Sequence, residues 1–224
     1  MKKTVVLIVI LIFVATTLSA QMDMSAGFGG YFDGSFRNGV RQVDNSGEVH
    51  RQMRNLTFGG FAFFDVTYAE LDIGFGYGEV NAFKITYGPS NKPPNKQPEY
   101  YFDDFMQLNI SLLGKYPIEV APTVSIYPLI GFNYNIVMNS VNKHTGVKRE
   151  KAGSFSQVGF QGGLGGDINM TDAFFLRIQG LAQIRFTTGG TYDYCASYMD
   201  EDGNVIKKNL GVGPVIKAGI GMRL

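Results

Sequence analysis

Beyond residue 20 the chain is written in a two-residue period, and only one face of that period carries charge. From Met24 to Phe36 the even positions read Met, Ala, Phe, Gly, Phe, Gly, Phe. The odd positions are Ser25, Gly27, Gly29, Tyr31, Asp33 and Ser35. Period two is the signature of a strand with two unlike faces. The split recurs seven more times. Leu56, Phe58, Gly60, Ala62 and Phe64 stand against Asn55, Thr57 and Gly59, and Ala69, Leu71, Ile73, Phe75 and Tyr77 against Glu70, Asp72, Gly74 and Gly76. Met106, Leu108, Ile110 and Leu112 oppose Gln107, Asn109, Ser111 and Lys115, and the next stretch sets Val124, Ile126, Ile130, Phe132 and Tyr134 against Thr123, Ser125, Gly131, Asn133 and Asn135. Val158, Phe160, Leu164 and Ile168 face away from Gln157, Gln161 and Asp167. Phe174, Leu176, Ile178, Ala182, Ile184 and Phe186 face away from Arg177, Gln179, Gln183 and Arg185. Leu210, Val212, Ile216, Ala218, Ile220, Met222 and Leu224 face away from Lys217 and Arg223.

No charge falls on the apolar face. The other face holds the acids Asp33, Glu70, Asp72 and Asp167 and the bases Lys115, Arg177, Arg185, Lys217 and Arg223. Most stretches reach the ~9–11 residues that a tilted transmembrane strand needs. A soluble barrel of the lipocalin kind would turn its apolar face inward and cover its outside with Lys, Glu and Thr. Here the polar face is Gly, Gln, Asn and Ser with a few charges of balanced sign, which suits a crowded interior where each charge finds a partner. The 29 glycines then read as space inside a narrow barrel. The expected fold is an all-β, eight-stranded, antiparallel up-and-down transmembrane barrel over residues 21–224.

Residues 1–20 read differently. Lys2 and Lys3 precede an apolar run from Val5 to Val14, followed by Thr16, Thr17, Leu18, Ser19 and Ala20. That order of basic, greasy and small is a secretory signal, with cleavage expected after Ala20. Its removal leaves 18 bases (20 minus Lys2 and Lys3) against 19 acids. A balance this even excludes the basic excess of a nucleic-acid binder. A single Cys, Cys195, excludes an internal disulfide and a thiolate metal cluster.

Connections alternate in length. Long polar loops are expected at Arg37–Arg54, Glu79–Asp104, Met138–Ser154 and Thr188–Lys208, with short turns at Asp65–Thr67, Pro117–Pro122 and Asn169–Asp172. Short turns on one side and long loops on the other are the outer-membrane pattern. Tyr68, Tyr116 and Phe174 would mark one interfacial ring, and Phe36, Phe58, Tyr77, Tyr134 and Phe186 the other. Pro128 and Pro214 interrupt strands, so a bulge is expected at Pro128 and a rim position at Pro214.

Taken together, residues 21–224 resemble the small outer-membrane β-barrels of the OmpA-like transmembrane class. Leu112–Pro117 and Tyr127–Gly131 are similar to segments of spirochaete-type members. The terminal stretch, with Lys217, Gly219, Ile220, Met222 and Leu224, resembles the signal read by the barrel-assembly machinery, except that Leu224 stands where a Phe is usual. The resemblance implies a monomer in the bacterial outer membrane. Its partners would be membrane lipids, the assembly machinery during biogenesis and an unidentified loop-binding partner, with no nucleic acid. The expected role is structural or one of surface interaction through four long loops. The alternative is a narrow porin or OmpW-like channel for small or apolar solutes.

Catalysis finds no support. His50 and His144 are both expected in loops, away from the rim Ser–His arrangement that barrel lipid-modifying enzymes need. Gly162–Asp167 lacks the Gly-Lys-Ser/Thr ending of a phosphate loop. No metal, cofactor or catalytic residue is expected. The nine face charges are the candidate site, either paired inside a filled barrel or lining a switchable pore.

Overall fold

The computed structural model describes residues 23–43, 47–86, 99–143, 145–148, 156–187, 198–199, 205–206 and 210–224. The expected signal segment 1–20 with its expected cleavage after Ala20, together with His144 and Cys195, lies outside the described residues. The strands are β1 (Met24–Val43), β2 (Gly47–Val66), β3 (Ala69–Thr86), β4 (Glu99–Lys115), β5 (Ile118–Ala121), β6 (Val124–Asn142), β7 (Gln157–Asn169), β8 (Phe174–Thr187), β9 (Tyr198–Met199), β10 (Val205–Ile206) and β11 (Leu210–Arg223).

Eight of these close a ring. Antiparallel pairing runs β4-β3-β2-β1-β11-β8-β7-β6, and β4 pairs with β6. Each of the eight therefore has two neighbours over the closed stretch. β5 is a four-residue arm paired with the start of β6, and β9 and β10 pair only with each other. Among the described residues no helix is long and apolar enough to cross a membrane.

The register fixes the barrel's width. From Ala26 the partners run Phe64, Leu71, Leu112, Phe132, Phe160, Ile184, Val212 and back to β1 at Phe36. The circuit returns ten positions further along β1 (36 against 26). Eight strands with that stagger tilt by about 42° around a radius of about 8 Å. Such a bore is filled by side chains.

The faces sort as the alternation requires. Leucines, isoleucines and phenylalanines at the alternating outward positions are solvent-exposed on all eight strands, Phe28, Ile130 and Leu164 among the most exposed. Tyr68 and Tyr116 stack at 6.2 Å near one end.

Several expectations need correcting, the long loop Glu79–Asp104 among them, since β3 and β4 stay paired out to Lys84↔Glu99. Arg37–Arg54 is not a long loop: β1 and β2 stay paired out to Val43↔Gly47, and that pairing keeps these mostly polar residues extended. His50 accordingly lies on β2 and not in a loop. The register shifts of β6 fall at Met106/Gln107 on its β4 side and at Glu119/Ala121 on its β5 side, not at Pro128. Pro128 sits where the β4 ladder has ended at Lys115↔Leu129 and the β5 ladder begins at Ile118↔Ile126, so its missing N–H removes no rung there. Pro214 lies within β11, opposite Ala182, and the β1–β11 ladder skips from Asp33↔Val215 to Phe36↔Val212 around it.

Inward aromatic rings account for the glycines. Tyr31, Phe63, Phe105, Tyr127 and Phe175 are buried inside, directly opposite Gly59, Gly27, Gly78, Gly165 and Gly221. Phe61 lies between Gly29 and Gly74. A Cβ on Gly165 would sit 2.2 Å from the Tyr127 ring, and one on Gly27 2.4 Å from the Phe63 ring. Each ring lies over backbone that only glycine leaves bare.

Candidate functional site

The lower interior is organised around Arg177 on β8. Its guanidinium reaches Asp65 at 2.6 Å, Glu70 at 2.7 Å and Asp167 at 2.7 Å. Nε adds a second bond to Asp167 at 2.8 Å, making that pair bidentate. Lys115 Nζ donates to Asp65 at 2.6 Å. The Gln179 amide donates to both Glu70 oxygens at 2.7 and 3.0 Å, and the Tyr127 hydroxyl donates to Asp167 at 2.8 Å. The guanidinium also lies 4.3 Å from the Phe63 ring centre and 5.0 Å from that of Phe175. Planarity and weak hydration let Arg bind carboxylates at its edge and rings at its face together. Three acids and two bases thus share one buried cluster.

Apolar side chains pack against this cluster and fill the bore beside it. Leu113, Tyr127, Leu129, Leu181 and Val215 form one buried cluster, and Tyr31, Phe61, Phe63 and Phe175 another. Lys217 crosses this level paired with Asp72, its ammonium 5.6 Å from the Phe61 ring centre.

A second polar tier lies nearer the long-connection end. Arg185 Nη2 donates to Asp33 at 2.5 Å, and Gln183 donates to the same carboxylate at 2.5 Å. Turning the amide oxygens of Asn133 and Asn135 toward Arg185 gives the guanidinium further acceptors, Asn135 at 2.9 Å. This tier is amide-rich and incompletely paired. Ser35 Oγ, Asn55 Oδ1, Gln107 Nε2, Gln157 Oε1, Gln161 Nε2 and Gln183 Oε1 are buried with no protein partner.

Of the nine charges singled out from the sequence, Asp33, Glu70, Asp72, Lys115, Arg177, Arg185 and Lys217 are buried inside, and Asp167 is partly buried on Arg177. The structure does not gather them into one site. Glu70, Lys115, Asp167 and Arg177 share the lower cluster, while Asp33–Arg185 and Asp72–Lys217 stand apart. Arg223 departs from the expected interior position. It ends β11, is exposed, and donates to the Asp172 carbonyl at 3.0 Å and to Asn169 at 2.5 Å, because the barrel wall has run out at that point. In the terminal stretch Lys217 and Gly219 take the inner face, while Ile220, Met222 and Leu224 are exposed.

Asp65 was missed by the sequence reading, which assigned it to a turn. Extending the odd positions Asn55, Thr57 and Gly59 would have found it, but Phe61 and Phe63 interrupt that polar row. Outside the bore, Lys143 follows β6 and pairs with Glu79 at 2.6 Å, and that hydrogen bond raises the ammonium above its ordinary range. Among the described residues no group of His, Cys, Asp or Glu is placed to hold a metal ion.

No family model and no curated protein matches the chain. Solved structures similar to it include the outer membrane protein OprG of Pseudomonas aeruginosa, 12% identical, covering 90% of this chain and 95% of that one at a TM-score of 0.47. Neisserial surface protein A is 12% identical, with coverage of 91% and 97% and a TM-score of 0.40. The attachment invasion locus protein of Yersinia pestis is 13% identical, with coverage of 90% and 99% and a TM-score of 0.38. By its own pairing this chain is a closed eight-stranded antiparallel β-barrel, apolar outside and charged inside.

Proposed function

We propose that the chain is an integral outer-membrane barrel with a filled bore, acting as a structural and surface-presenting protein. One observation carries this reading: the exposed apolar positions run around all eight strands while the charges sit inside. A soluble monomer rarely exposes a contiguous apolar patch beyond a few hundred Å². Lipid is the solvent that makes such a polarity favourable, and a closed ladder satisfies the backbone within it. The buried apolar clusters that fill the bore beside the polar tiers support a sealed bore over the narrow-channel alternative.

Refolding in detergent tests both halves of the proposal. The barrel should migrate differently on gels before and after boiling and precipitate when detergent is removed. In planar bilayers it should give no sustained conductance steps. Monodisperse solubility without detergent would overturn the membrane reading. Steady steps abolished by Arg177 or Arg185 substitution would overturn the filled bore.

A further inference from the structure

Unspent hydrogen-bonding capacity in the second polar tier falls in neighbouring pairs. Ser35 and Asn55 are direct cross-strand partners, and Ser35 Oγ and Asn55 Oδ1 both lack a protein partner. Gln161 and Gln183 are direct partners too, yet Gln161 Nε2 lacks an acceptor and Gln183 Oε1 lacks a donor. A side chain on Gly76 would run into the Tyr31 hydroxyl, and Gln107 stands directly opposite Gly76. The Tyr31 hydroxyl and Gln107 Nε2 are again both unpartnered. None of these six residues is more than 8% exposed. Folded chains leave few such groups unpaired, because each forfeits its hydration on burial.

The three gaps surround one carboxylate. Tyr31, Asp33 and Ser35 are successive inward positions of β1, and Gln183 donates to Asp33 at 2.5 Å. Successive inward positions on one strand are about 7 Å apart, so the gaps lie within reach of one small molecule. The Asp33 carboxylate is neutralised by Arg185.

The chemistry of the gaps specifies their occupant. Gln107 and Gln161 offer N–H donors, Asn55 and Gln183 offer carbonyl acceptors, and Tyr31 and Ser35 offer hydroxyls that do either. An anion would meet the two carbonyls, and a cation the two amide N–H groups and Arg185. An apolar solute would leave all six unpaired. A hydroxyl serves every gap, because it donates and accepts at once. From this arrangement we infer that the second tier binds a small neutral polyol, of the cyclitol or monosaccharide class, around the Asp33–Arg185 pair. A polyol carries several hydroxyls on one frame, so one guest closes gaps that separate waters would each have to be immobilised to fill. The inference goes beyond the filled-bore reading and adds a guest to it.

The test uses the full chain refolded in detergent, with myo-inositol as probe and sodium sulfate as the anionic control. Boiling-dependent migration checks the fold of each variant, and bilayer conductance reads the filled bore separately. In NMR titrations the side-chain amide signals of Gln107 and Gln161 should shift saturably with myo-inositol and not with sulfate. Q161M and S35A should each weaken binding about fivefold, the worth of one ordinary hydrogen bond, and the double variant about twentyfold. G180A, on the outer face, should leave binding unchanged. No saturable shift in the folded protein, or undiminished binding by folded Q161M/S35A, would overturn the proposal. So would contacts from these amides to water that persist at high myo-inositol, which would assign the gaps to water alone.

Discussion

The two polar tiers of the bore solve the same problem in different ways. The lower tier concentrates charge: Arg177 holds Asp65, Glu70 and Asp167, and Lys115 backs Asp65. The upper tier holds one ion pair, Asp33–Arg185, in a field of amides and hydroxyls, several of whose atoms lack a protein partner. A low-dielectric interior strengthens a charge network only when every member is satisfied. Every charge of the lower tier is paired, although Gln179 Oε1 has no protein partner, so that tier is a lock centred on Arg177, whereas the upper tier spreads its polarity and should tolerate loss.

The largest expected effect comes from breaking the lock. Arg177→Gln leaves three carboxylates with one ammonium, Lys115 on Asp65, while Glu70 keeps only the Gln179 amide and Asp167 the Tyr127 hydroxyl, and it removes the stack on Phe63 and Phe175. It should cost about 3–5 kcal/mol in urea unfolding from lipid vesicles, the range for removing one partner of a buried pair. Arg185→Gln strands one carboxylate, and Asp33 keeps its Gln183 bond. The same measurement should give about 1.5–3 kcal/mol. A loss equal to that of Arg177→Gln would erase the distinction between the tiers.

Smaller changes sharpen the comparison. Gln161→Met replaces an upper-tier amide whose Nε2 has no protein partner, so unfolding should shift by less than about 1 kcal/mol. The glycines give a matched inner and outer pair. A Cβ at Gly165 meets the Tyr127 ring, so Gly165→Ala should destabilise by about 1–3 kcal/mol, rescued in part by Tyr127→Ala. Gly180 is outward with nothing within 4 Å of such a Cβ, so Gly180→Ala should be neutral or stabilise by under about 1 kcal/mol.

The closed fold was legible because alternation is a local property. Each strand states its own faces, and the absence of charge on one of them sets their direction. Strand ends were less legible. Arg37–Arg54 is polar enough to look like a loop, yet pairing with a neighbour keeps it extended. The site was legible only as a set of residues. Which acid meets which base depends on register and tilt, so Glu70 and Arg177, 107 residues apart, could not be matched in advance. Asp65 was hidden because its inward row carries Phe61 and Phe63. The rule that places them, an inward ring facing a glycine on the next strand, appears only once strands are paired.

The barrel's inside-out polarity can be read by a cysteine scan along β8. Cys195→Ser supplies the background, and single cysteines at Leu176, Ile178, Ile184 and Phe186 carry a fluorescent label in lipid vesicles. All four should be quenched by lipid-borne bromines and shielded from a water-soluble thiol reagent, with a label at Gln183 resisting lipid quenching. Free reaction of the four outward positions with the aqueous reagent, with no quenching from lipid, would contradict it.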